Sequence, residues 1–333
     1  MNEMRLFSTI FIVLFSTQIL FAQPVPNKEE NIPHLMTFGK NADISWGDDD
    51  FSQAFFFLIP SDFTQQVFIR VFDPDTGGAI DEYRGEWNTQ CSFEVFGGEG
   101  CHSEDDARET SPTGNYKSGT LLAMKVFGEN PRYDEQWYTF GPFNPAEGEY
   151  DQTFDSYIFK VICEGLSGDD GNMFNYYLST SGTENIPIEG ANAFAYEYSF
   201  RMHNDPNEVS HIYPYIAEGT LSVKIFNFDW DYDGDILVVS VAKEGGHLTV
   251  SGDAVMGAGD DNWEENEMPV QEEEIKTSYD FQFAKSKNPV VRNNNVVVNV
   301  RNQYDKTMPF YTSPIGGVPQ YRYGGMLQPL DDE

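Results

Sequence analysis

Apolar residues in this chain recur at every second position, in short runs that stop at Gly, Pro, Asn or Asp. In Thr220-Leu-Ser-Val-Lys-Ile-Phe226, Leu221, Val223 and Ile225 fall on one face and Ser222 and Lys224 on the other, the pattern of a half-buried strand. Val296, Val298 and Val300 repeat it against Asn299 and Arg301. Strand-like runs also cover residues 54–59, 67–72, 92–96, 121–127, 136–140, 157–163, 174–178, 194–202, 236–241, 247–250, 279–284 and 308–312. No window of helical length combines a 3.6-residue period with caps, and residues 271–276 offer at most one acidic helical turn. The 27 Phe and 18 Tyr residues favour pleated, half-buried surfaces. The chain therefore reads as all-β, built of tandem β-sandwich domains of Greek-key or jelly-roll-like form.

Organisation follows from punctuation. Arg5, the apolar run at 6–20, Ala22 and Pro24 form a signal peptide with cleavage expected after Ala22. That run is too short, and too polar at Ser16, Thr17 and Gln18, to span a bilayer. The mature chain is thus expected to be secreted, periplasmic or cell-surface, with no membrane insertion. Residues 23–40 read as a linker or arm, 41–164 as one sandwich, 165–313 as a second with a possible split near 245, and 314–333 as a surface tail. An echo links Gly47-Asp-Asp-Asp-Phe51 with Gly168-Asp-Asp-Gly171: each acidic turn feeds an aromatic strand.

Charge narrows the partners. Fifty-four acidic against 20 basic residues give a net charge of -34, a field that repels phosphate backbones and anionic lipid headgroups. Nucleic acid is excluded as a partner class on that ground, and clustered carboxylates call for wide spacing or bound cations. Three cysteines in an exported chain imply one disulfide and one spare thiol. Cys91 and Cys101 are the expected pair, because residues 92–100 read as a strand and a Gly turn; Cys163 sits in an apolar alternation as a buried thiol.

The strongest local chemistry is Asp229-Trp-Asp-Tyr-Asp-Gly-Asp235. Carboxylates at alternate positions with a turn Gly direct several oxygens at one hard cation, which is what calcium takes. Over residues 229–236 the segment resembles the first half of the Asp-rich calcium loops of EF-hand, dockerin and thrombospondin type 3 proteins. The resemblance implies Asp229, Asp231 and Asp233 as ligands and Gly234 as the turn, with Asp235 beside them. Ser240 stands where an EF-hand has its closing Glu, and the flanks are strands, so no EF-hand domain is implied. Inward-pointing Asp residues would push Trp230 and Tyr232 outward as a contact surface for a glycan or surface protein. Asp48 to Asp50, Asp73-Pro-Asp75, Asp169-Asp170 and Asp260-Asp261 are lesser cation candidates.

No nucleophile elbow, zinc-protease, phosphate-loop or paired-cysteine motif occurs. The chain is expected to be an exported, noncatalytic binding, adhesion or surface-structural protein stabilised by calcium. The alternatives are a carbohydrate-active hydrolase on a β-sandwich and a subunit of a larger envelope assembly.

Overall fold

A computed structural model describes residues 24–42, 51–108, 115–230, 234–251, 263–287 and 295–322. The signal segment 1–22 lies outside these residues. Among the described residues there are twenty strands, short 3-10 turns and no α-helix; nor is any helix long and apolar enough to cross a membrane. The acidic turn expected at 271–276 is a 3-10 turn at Glu272–Glu274.

All strand pairings are antiparallel. The largest sheet runs, in spatial order, β17 (Glu264–Pro269), β14 (Ser222–Phe228), β19 (Asn295–Asn302), β12 (Glu197–Arg201), β2 (His34–Phe38), β10 (Gly171–Ser179), β4 (Val67–Phe72) and β7 (Trp137–Phe143), with β1 (Pro24–Val25) added to β10. A second sheet runs β20 (Phe310–Tyr311), β11 (Asn192–Ala195), β3 (Ser52–Pro60), β9 (Ser156–Ser167), β5 (Gln90–Gly97) and β6 (Thr120–Phe127), with β8 (Glu149–Asp151) on β9. The third runs β13 (Val209–Ile212), β18 (Asp280–Lys285), β15 (Gly234–Val239) and β16 (Glu244–Leu248).

The two smaller sheets lie on one face of the largest. Tyr198 and Phe200, two apart on β12, point the same way. Tyr198 meets Phe55 of the second sheet at 5.1 Å between ring centroids, and Phe200 meets Phe283 of the third at 5.5 Å. Phe93 and Phe55 of the second sheet also pack on Phe174 and Tyr176 of β10. One apolar core therefore runs from Val25 to Phe310. The two echoing segments feed β3 and β10, which face each other across it.

The all-β expectation holds, but strands from either side of residue 164 pair with one another: β10 and β12 both flank β2, and β11 lies beside β3. The expected boundary falls inside β9, so the chain is not divided into 41–164 and 165–313 sandwiches. Residues 23–40 are no free arm either, since β2 is buried within the largest sheet. Residues 194–202, read as one strand, are two: β11 and β12 belong to different sheets, and the chain crosses between them at Tyr196, as corner strands of packed sheets do. β3 is apolar at every position from Ala54 to Ile59 because both its faces are covered.

Candidate functional site

The Asp229–Asp235 turn joins β14 of the largest sheet to β15 of the third. Asp231, Tyr232 and Asp233 lie outside the described residues. Asp229 is buried with a left-handed φ of 60°, and Asp235 is exposed, 3.7 Å from His247 Nδ1. Trp230 does not face solvent: it is wholly buried, edge-on to Phe283 at 6.4 Å, with its amide donating to Ser251 Oγ at 2.9 Å. The expectation of an outward Trp230 is thus corrected. A large apolar ring beside the inter-sheet core gains more from burial than from display. Gly234 is explained by the same packing, because a β-carbon there would lie 2.2 Å from the Ala284 carbonyl oxygen and 2.3 Å from the Trp230 ring.

A second Asp-bearing loop, 73–89, lies over the outer face of the largest sheet, where Ile80 packs on Met36, Phe38 and Met173. Carboxylates hold its backbone down. Asp81 accepts from the amides of Gly77 and Met173 at 2.8 and 2.7 Å. Asp170, at the turn before β10, accepts from the amides of Arg84 and Asn88 at 2.9 and 3.0 Å and from the Thr89 hydroxyl at 3.1 Å. Glu82 bridges to Gly171 through the main chain and pairs with Arg201 of β12. On this clamped loop the rings of Tyr83 and Trp87 meet edge to face at 4.9 Å, Tyr83 55 % exposed and Trp87 half-buried.

Under the loop's start sit Asp73 and Asp75, both fully buried. The Asp73 amide donates to the Gln136 carbonyl, and the Asn130 amide donates to Asp75 Oδ2 at 2.9 Å. Neither Asp73 carboxylate oxygen completes a well-formed hydrogen bond, although the Glu135 amide faces it, and Asp75 Oδ1 has no partner. Burial pushes Asp73 up to about 7, with Asp75, Asp134 and Glu135 adding repulsion. Asp75 rises to about 6 through burial and Asp134, and burial takes Asp81 to about 9. Sequence reading had Asp73 and Asp75 as a lesser candidate. It missed Asp134, which lies some sixty residues away and meets the loop only through pairing of β4 with β7.

The cysteines also depart from expectation. All three are buried and none is in a disulfide. Cys91 and Cys101 do not pair, because Cys91 opens β5 toward the inter-sheet core whereas Cys101 packs on the opposite face of the second sheet. The Cys101 thiol donates to the Ile158 carbonyl at 3.3 Å, and burial raises it to about 12. Cys91 instead contacts the thiol of Cys163, which lowers its pKa.

His102 packs on Phe56 and Phe194 of the second sheet and contacts the Tyr196 hydroxyl at 2.9 Å, and its amide donates to Glu149. Lys160 is fully buried; its Nζ donates to the carbonyls of Tyr116 and Ser118, and burial brings it down to about 8. His203 and His211 are held by the Asn31 carbonyl and by Asp280, respectively, and do not meet as a pair. Among the described residues no three His, Cys, Asp or Glu side chains converge on one metal-sized point. No known protein family matches the chain, and comparison with curated proteins finds no matching sequence.

Proposed function

We propose that the chain is an exported, noncatalytic binding or adhesion protein that contacts glycans through the loop at 73–89. The observation that carries this reading is the Tyr83–Trp87 ring pair on a backbone clamped by Asp81, Asp170 and Glu82. Rigid, exposed aromatic faces stack on sugar rings at little entropic cost. The role first expected of Trp230 and Tyr232 passes to these two residues, because Trp230 is in the core. Strong acidity adds selectivity by repelling polyanions. Calcium at the Asp229–Asp235 turn belongs to the same proposal, tying the largest sheet to the third.

Affinity electrophoresis of the mature chain through gels containing a panel of soluble polysaccharides tests the contact surface. Retardation by at least one polysaccharide is expected, and Tyr83→Ala with Trp87→Ala should remove it while the far-ultraviolet circular dichroism stays unchanged. Retardation unaffected by both substitutions would refute the assignment of the loop, and no retardation at all would refute the glycan reading. Export is checked by the N-terminus of the protein recovered outside the cytoplasm, expected at Gln23.

A further inference from the structure

The end of β4 holds two buried acids with no counter-charge. No described lysine, arginine or histidine makes an ion pair with Asp73, Asp75 or Asp134. Three of the four carboxylate oxygens of Asp73 and Asp75 are inaccessible and lack a hydrogen-bond partner. An ionised carboxylate in that position is strongly disfavoured. Protonation of Asp73 removes its charge but supplies no donor to its other oxygen, which stays without a partner. A cation satisfies both acids at once.

We propose that Asp73 and Asp75 bind a calcium ion at the end of β4, at a site separate from the Asp229–Asp235 turn. The donor set is all oxygen. The thiol of Cys91 contacts that of Cys163, so a soft, thiolate-seeking metal is disfavoured and a hard one favoured. Calcium takes carboxylates together with main-chain oxygens and water, so two direct carboxylate ligands suffice, with Asp134 as a water-bridged third. The loop leaves room for that third group. Gly78 has a left-handed φ of 72°, and a β-carbon there would stand 3.1 Å from Asp134 Cγ. The bound ion would fix the root of the loop bearing Tyr83 and Trp87, but the site stands whatever that loop contacts.

Calorimetric titration of calcium chloride into the chelator-stripped full-length mature chain tests the site, with melting temperature measured in chelator and in calcium. The wild-type chain should bind calcium. Asp73→Asn with Asp75→Asn should remove one bound ion, raise the melting temperature in chelator by relieving repulsion, and shrink the increment that calcium adds. Asp231→Asn with Asp233→Asn should leave this ion in place. Unchanged stoichiometry in the Asp73/Asp75 variant overturns the site while leaving the Asp229–Asp235 proposal standing. A wild-type chain that binds no calcium overturns both. If the double variant does not fold, Asp75→Asn alone provides the same comparison. A wild-type chain that binds calcium but is retarded by no polysaccharide would count against the glycan reading and not against this ion.

Discussion

The loop at 73–89 and the turn at 229–235 are spelled alike, with Asp at alternate positions and a Gly close behind, yet the fold uses them differently. Beside Asp229 the described neighbours serve packing: Trp230 enters the core and Gly234 is bare so that the ring and the Ala284 carbonyl can approach. At Asp73 both acids turn inward with unsatisfied oxygens, and Gly78 keeps clear of a third acid. Aromatic neighbours invert in the same way, since Trp230 is buried while Tyr83 is exposed and Trp87 half-buried. Alternate Asp residues therefore describe a tight acidic turn, and the strands beneath it decide which side chains point inward.

Substituting the two tryptophans separates the regions most sharply. Trp230→Ala removes a wholly buried ring and should cost about 3–5 kcal/mol of unfolding free energy, in calcium or chelator alike. Trp87→Ala should change stability by less than about 1 kcal/mol. Denaturant unfolding of both variants checks the contrast, which collapses if the two costs are equal.

Glu30 sharpens the contrast between satisfied and unsatisfied buried acids. It is fully buried like Asp73, but it accepts from the Asn27 amide and the Tyr198 hydroxyl. Burial raises it from 4.5 to about 8, against the lowering effect of those hydrogen bonds. Below pH 4.5 both folded and unfolded states hold the proton. Between 4.5 and about 8 the unfolded chain releases it and the folded chain keeps it, so this group's contribution to stability falls as pH rises and levels off above about 8. Glu30→Gln should remove that slope and stabilise the protein by on the order of 2 kcal/mol at pH 7, with no dependence on calcium. Parallel pH profiles for Glu30→Gln and wild type would contradict it.

Smaller effects are expected at the two glycines. Gly234→Ala forces a β-carbon against backbone and ring and should cost about 1–3 kcal/mol through overpacking. Gly78→Ala, in the left-handed region, should cost about 1–2 kcal/mol, and it should also weaken calcium binding if Asp134 assists the ion. The thiols give the mildest test. Gentle oxidation of the native chain should join Cys91 to Cys163 and leave Cys101 reduced, as peptide mapping under non-reducing conditions would reveal; a Cys91–Cys101 link would contradict the two-face placement.

Local pattern made the strands legible. Residues 67–72 form β4 with the expected bounds, and Val223 and Ile225 form the buried face of β14, although Leu221, read onto that face, lies outside the strand and is exposed. Pairing was not legible, because β2 finds β10 and β12 more than 130 residues downstream and no nearby residue encodes that choice. Pro33, just before β2, made the segment look irregular. At Tyr196 the apolar run continues through a change of sheet, so the sequence carries no break to read. For the acids, the Asp73-Pro-Asp75 spelling was visible but its burial was not. Burial comes from loops 73–89 and 128–136 folding over it, which only the β4–β7 pairing brings about.

The crossing at Tyr196 carries the chain from the second sheet into the largest and so links the two layers covalently. A chain severed near residue 164 would leave β2, β3 and β4 on one fragment and their partners β10, β11 and β12 on the other, so each piece would expose half of a shared apolar interior. Such halves would have to reassociate before either could hold a shape, and during synthesis the early strands must wait for residues 171–201 to arrive.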